Sequence, residues 1–186
     1  MTRNSRPRSL GFLSRFLVAG LVAVAGSATL SPAAAQVPCP QVDAGGNPVR
    51  PDQHIFCGDI NGAGGATGYH SRPGGLDPVS ITILAGTNVT VPAGAPAGIY
   101  RLNQFNITQG AATGLKPFST MFPDACAAAD VLAAIANANL NRVAVPTGGF
   151  HGPSGANCQA GAPLGPFDIK FFVNAAGAIT TAYPNY

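Results

Sequence analysis

The chain contains three histidines, His54, His70 and His151, and the first two lie sixteen residues apart in its most glycine-rich polar stretch. Imidazole is the side chain that both gives and takes protons near neutral pH. Between the pair runs Asn61-Gly-Ala-Gly-Gly-Ala-Thr-Gly68, a loop flexible enough to bring the chain back on itself. Such a return sets His54 and His70 face to face across one cleft. Two imidazoles so placed supply both halves of a proton transfer: one takes a proton from a nucleophile, the other gives one to a leaving group. Cleavage of RNA through its own 2′-hydroxyl needs that pair and no metal or cofactor, because the nucleophile already belongs to the substrate. The glycine loop lacks the lysine that would make it a phosphate-binding P-loop. No Gly-x-Ser-x-Gly is present to support a serine hydrolase.

The elements that must hold these residues read as α+β, with a strand-rich second half. Gln53–Ile60 is a short apolar-polar stretch that His54 opens in strand-like fashion. Val79–Val91 alternates as strands do around Gly86-Thr87-Asn88, and Ile99–Thr108 is a further strand. One helix is expected from Asp124 to Leu140, with Asp124 capping its first turn and Val131, Leu132 and Ile135 forming a core stripe. Arg142–Val145 reads as a brief strand. Thr147–Pro166 is a Gly/Pro-rich excursion holding His151 and Cys158. Phe167–Val173 and Ala178–Tyr183 close the chain as a hairpin, with Gly177 free to take positive φ in its turn. Lys170 reads as a charge on a sheet face.

The first 35 residues read as a secretory signal. Arg3, Arg6, Arg8 and Arg15 precede an apolar run from Phe16 to Leu30, and Ala33-Ala34-Ala35 offers the small residues at which a signal peptidase cuts. The run is too short for a membrane span, so the mature chain is expected to be secreted or periplasmic and free of the membrane. Cleavage after Ala35 removes four of the ten basic residues and none of the seven acids, leaving six against seven, a net charge of −1. So few cations make a poor general nucleic-acid sponge, and any such activity must be confined to one site. No glutamate occurs, which argues against a paired-Glu glycosidase. Residues 36–51, rich in Pro, Gly and small polar side chains, read as an extended arm, and 52–186 as a single domain. Cys39, Cys57, Cys126 and Cys158 all follow the cut, and an even count in an oxidising compartment predicts two bridges, with three connectivities open. No Cys-x-x-Cys pair is there to anchor zinc.

The run His54-Ile-Phe-Cys-Gly58 followed by Gly68-Tyr-His70 resembles the two-histidine signature of the EndoU-like endoribonucleases in their short bacterial form. Lys116-Pro-Phe-Ser-Thr-Met-Phe-Pro123 is similar to that family's lysine-bearing segment, and Ile179-Thr-Thr-Ala-Tyr-Pro184 to its closing strand. The four matches keep the family's order from His54 to Pro184. The resemblance implies an EndoU-like fold and RNA cleavage, at uridines, to 2′,3′-cyclic phosphate ends. It makes His70 the base on the 2′-hydroxyl, His54 the acid to the leaving oxygen and Lys116 the cation beside the phosphoryl oxygens. Thr120, with Ser119 as the near alternative, corresponds to the hydroxyl that reads uracil. Tyr183 would pack on the substrate, joined by Thr181 on the same strand face. His151 matches nothing. The expected partner is RNA, the expected state a monomer, and a cognate inhibitor protein is open. Two rivals stand beside this reading: a catalytically inactive binding module of the same fold, and a metallohydrolase using all three histidines.

Overall fold

A computed structural model of the chain describes residues 36–39 and 51–186. The expected signal and most of the expected arm therefore lie outside the described residues. The part of the arm that is described is tied to the domain. Val37 bridges Pro78 in parallel, its N–H donating to the Asp77 carbonyl, and Gln36 Nε2 donates to the Ile81 carbonyl.

The first element is a helix, α1 (Pro51–Cys57), and this corrects the strand-like reading of His54. Ile55, Phe56 and Cys57 are all buried, a run too short to reveal whether its period is that of a helix or a strand. The chain leaves α1 through Gly58, whose φ of +70° is the left-handed conformation common just past a helix end. A small ribbon follows, β1 (Asp59–Ile60) with β2 (Ala66–Thr67), and the glycine loop is the turn between them.

Two antiparallel sheets carry the rest. The first has the order β3-β4-β5, built from β3 (Ile81–Thr90), β4 (Tyr100–Gln109) and β5 (Ala112–Met121). In β4, Tyr100 and Leu102 face the core, and strict alternation would next turn Gln104 inward. Gln104 instead takes φ +57° and absorbs one residue, which returns Phe105 and Ile107 to the core. Opposite it, β3 passes Gly86-Thr87 as one strand with a register break between Ile83 and Asn88. The lysine-bearing segment runs as strand to Met121, through Pro117, which lacks an N–H. The proline is tolerated because β5 is an edge strand of its sheet.

The second helix, α2 (Ala128–Leu140), starts four residues later than expected. Asp124 does not cap it, because its carboxylate accepts from Arg72 Nε at 3.3 Å and from the Tyr100 hydroxyl. The expected stripe is otherwise present: Val131, Ala134, Ile135 and Ala138 are buried, and Leu132 packs against them.

The second sheet has the order β6-β7-β8-β9, from β6 (Val143–Ala144), β7 (Phe150–Pro153), β8 (Asp168–Val173) and β9 (Ile179–Pro184). The terminal hairpin is as expected, with Gly177 at φ +80°. β7 lies inside what reads as an irregular excursion. Its glycine is required, since a Cβ on Gly152 would meet the Ala138 carbonyl oxygen of α2 at 2.3 Å. One core joins α1, α2 and this sheet through Phe56, Phe122, Val131, Ile135, Phe167 and Phe171. A second, with Tyr69, Leu102, Phe105 and Met121, lines the first sheet. The architecture is α+β and strand-rich, with one long helix.

Cys39 pairs with Cys57 and Cys126 with Cys158, which picks one of the three connectivities. Among the described residues no helix is long and apolar enough to cross a membrane. The paired cysteines are compatible with export. The Cys126–Cys158 bridge spans a sequence separation of 32 and ties the start of α2 to the long loop before β8. Replacing both cysteines by alanine is expected to cost about 2–4 kcal/mol in urea denaturation. Unchanged stability, or four free thiols on alkylation of the oxidised protein, would contradict the pairing.

Candidate active site

The two histidines are brought together by backbone hydrogen bonds. A helix end leaves carbonyls without partners, and the segment after the glycine loop supplies donors to α1. The Tyr69 N–H donates to the His54 carbonyl at 2.7 Å, while the His70 and Ser71 N–H groups donate to the Ile55 carbonyl at 2.7 and 3.1 Å. Gly68 makes this approach possible. Its φ is +71°, and a Cβ there would stand 2.2 Å from the His54 carbonyl oxygen. Tyr69, also at positive φ, is fully buried against Phe105 and donates its hydroxyl to Asp77. On the other side, the Phe122 N–H donates to the His70 carbonyl at 2.7 Å and draws in the end of β5.

The result is a cleft of about 550 Å³ into which His54, His70, Lys116, Ser119, Thr120, Thr181 and Tyr183 all project. The sequence-predicted set is therefore assembled in one place. The two imidazole rings lie 6.3 Å apart between centroids, and the Tyr183 ring stacks on His70 at 5.2 Å. Sequence reasoning missed Thr67 and Thr180, which also line the cleft. Thr180 is brought in by a register irregularity between Phe172 and Val173, which no local pattern announces. His151 is not brought in. It lies on β7 with Nδ1 3.0 Å from Asp168, beside a separate depression.

The hydrogen bonds fix the tautomer of His70. Its Nδ1 is 3.0 Å from the Thr120 carbonyl and 2.9 Å from Ser119 Oγ. A carbonyl only accepts, so Nδ1 carries the hydrogen. The Ser119 hydroxyl can then donate onward to the Gly68 carbonyl at 3.2 Å. Nε2 makes no hydrogen bond among the described residues, which leaves its lone pair available. Ser119 is thus occupied in holding His70, and Thr120 is the neighbouring side chain whose hydroxyl is free of such a duty.

Burial lowers the pKa of both imidazoles. His70, only 7% exposed, is pushed down to about 3 by desolvation first and by the nearby Lys116 second, against the Thr120 carbonyl. His54 is lowered by desolvation, with Asp59 pulling the other way and Lys116 adding to the drop. Asp59, beyond the helix on β1, is thus a carboxylate whose influence no local pattern announced. Burial also lowers Lys116 and raises Tyr183.

The family model for bacterial EndoU nucleases matches residues 48–186. The chain belongs to that family. No curated protein and no solved structure matches it to a significant degree. Membership supports a nuclease role and nucleic acid as the substrate class, and the EndoU domain covers both sheets and both helices.

Gly68→Ala is expected to destabilise the protein by at least about 2 kcal/mol, from strain at positive φ and overlap with a carbonyl. Gly62→Ala, with nothing within 4 Å of its Cβ, should stay within about 0.5 kcal/mol of the parent. Equal urea midpoints for the two variants would show that the close approach of residue 68 to α1 is not a constraint.

Proposed function

We propose that this EndoU-family protein is an exported endoribonuclease that cuts RNA at uridines by transesterification. In this reading residues 1–35 are a cleaved signal, 36–51 an arm and 52–186 the nuclease domain, acting as a monomer outside the cytoplasm. The observation that carries the mechanism is the pair of imidazoles facing one cleft, one of them held with a bare Nε2. His70 Nε2 takes the proton of the 2′-hydroxyl, and O2′ attacks the adjacent phosphorus. The P–O5′ bond breaks as protonated His54 gives its proton to O5′. The products are a 2′,3′-cyclic phosphate and a 5′-hydroxyl end. Lys116 stabilises the charge that grows on the non-bridging oxygens. Thr120 reads the uracil, with Ser119 positioning His70, and Tyr183 with Thr181 packs on the nucleoside. A pKa well below neutrality keeps His70 in the neutral form that a base requires. The phosphate of a bound substrate offsets Lys116 and raises both imidazoles, which strengthens the base and keeps the acid charged.

The roles predict an order of damage. In folded variants His54→Ala and His70→Ala should each lose about 10²–10⁴ in rate. The double variant should be far less than multiplicatively worse, because both groups serve one displacement. Tyr183→Phe should be mild and His151→Ala negligible. A 2′-deoxyuridine at the scissile position should stop cutting there, and cleavage at that position would falsify the mechanism. Loss of activity in His151→Ala equal to that in His70→Ala would favour the three-histidine reading instead.

The pH dependence follows from the same shifts. The active free enzyme needs His70 neutral, which holds above about pH 3, and His54 protonated, which holds only below its lowered pKa. kcat/KM should therefore fall as pH rises from the acid side toward neutrality, and Asp59→Asn should move that fall to still lower pH. The kcat profile should lie at higher pH than that of kcat/KM. A kcat/KM that climbs steadily between mildly acid and mildly alkaline pH would rule out a requirement for protonated His54 in the free enzyme.

A further inference from the structure

Beside the cleft, on the face of the first sheet turned away from its core, sits a cluster that the two-histidine chemistry does not use. Arg101 on β4 is registered directly opposite Thr120 on β5. Its guanidinium lies 4.6 Å from the centre of the Phe118 ring, and its Nη2 donates to the Tyr186 hydroxyl at 2.7 Å. Phe118 borders the cleft and is 51% exposed, while Tyr186 is 42% exposed. Two aromatic rings thus stay half open to solvent around one arginine.

The state of the arginine is as informative. Its Nε is shut off from solvent and has no hydrogen-bond partner among the described residues, an arrangement that costs free energy. None of the ion pairs among the described residues includes it. Arg72, by contrast, is tied to both Asp77 and Asp124. Lys116 lines the cleft, and Arg101, on the neighbouring strand, lies against the cleft-lining Phe118; neither has a carboxylate partner among the described residues. An arginine lying on a ring can swing off it to meet a phosphate with two donors, satisfying Nε in the process.

We propose that Arg101, Phe118 and Tyr186 form a subsite for the nucleotide that flanks the scissile uridine on its 5′ side. The inference rests on the ribonuclease reading above. With the scissile phosphate at Lys116 and the uracil at Thr120, an RNA strand crossing from β5 to β4 meets Arg101, registered opposite Thr120, next. The base stacks on the exposed rings, as bases do on sequence-tolerant aromatic platforms, and the 5′ phosphate of the uridine takes the guanidinium. The site recognises single-stranded RNA by stacking and charge, without reading that base.

The test compares uridylyl-adenosine with the trinucleotide that carries one more adenosine on its 5′ side. The parent is expected to favour the trinucleotide in kcat/KM by roughly tenfold, through KM, the effect of one stacked base. In Arg101→Gln and in Tyr186→Ala that preference should shrink toward unity, and the ratio within each variant cancels any general loss of activity. Lys170→Gln, on the other sheet, should keep the parental ratio. The subsite is overturned if Arg101→Gln retains the full preference, or if Lys170→Gln abolishes it while Arg101→Gln does not. A parent that cuts neither substrate overturns the ribonuclease reading itself.

Discussion

The carbonyl groups at the end of α1 need donors, and they find them on the segment that carries the second histidine. Everything at the site follows from that pairing. Tyr69, His70 and Ser71 donate to His54 and Ile55, so the two imidazoles are fixed relative to each other by backbone rather than by side-chain contact. A helix of this length has no stability of its own. Its neighbours hold it: buried Ile55 and Phe56 on one side, the Cys39–Cys57 bridge at its end, and the donors from residues 69–71. Gly58 and Gly68, both at positive φ, are the hinges of this return. A Cβ on Gly58 would come within 2.5 Å of Ile107.

Around this clamp a second set of bonds anchors the site to the rest of the molecule. Arg72 follows His70 by two residues and joins Asp77, Asp124 and Tyr100, while Tyr69 also reaches Asp77. These groups are paired within the network, as charges taken out of water must be. Burial and the carboxylates raise the pKa values of both tyrosines, so their hydroxyls remain donors. The network connects the segment after His70 to the start of β4 and to the turn before α2.

The site also shows why desolvation is useful and costly at once. The same burial that gives His70 a fixed tautomer makes its imidazolium unfavourable, and Lys116 deepens the effect. Asp59 moderates the matching effect on His54. A nucleic-acid substrate is anionic, and Lys116 is a cation that the cleft presents to it. Under the proposed mechanism its phosphate offsets Lys116 and raises both imidazoles, which would tie protonation to binding.

Much of the molecule was legible along the chain. The helical stripe of Val131, Leu132 and Ile135 and the terminal hairpin with Gly177 are local patterns, and local patterns survive folding. The order of His54, His70, the Lys116 segment and the Tyr183 strand pointed to the family and to a shared cleft. What sequence could not settle depended on groups distant in the chain. His54 became helical because donors from residues 69–71 cap a stretch too short to show a period. Asp124 abandoned the helix start because Arg72 and Tyr100 offered it stronger partners. The Gly/Pro-rich excursion Thr147–Pro166 read as irregular, yet Phe150–Pro153 within it forms β7, where only glycine at 152 lets the strand rest against the Ala138 carbonyl. The proton on His70 Nδ1 is assigned by a carbonyl fifty residues away. Residue types and their spacing determined which chemistry was available. The tertiary structure decided which nitrogen is tied up and which is left free for it, because hydrogen-bond donors and acceptors are assigned in space and not along the chain.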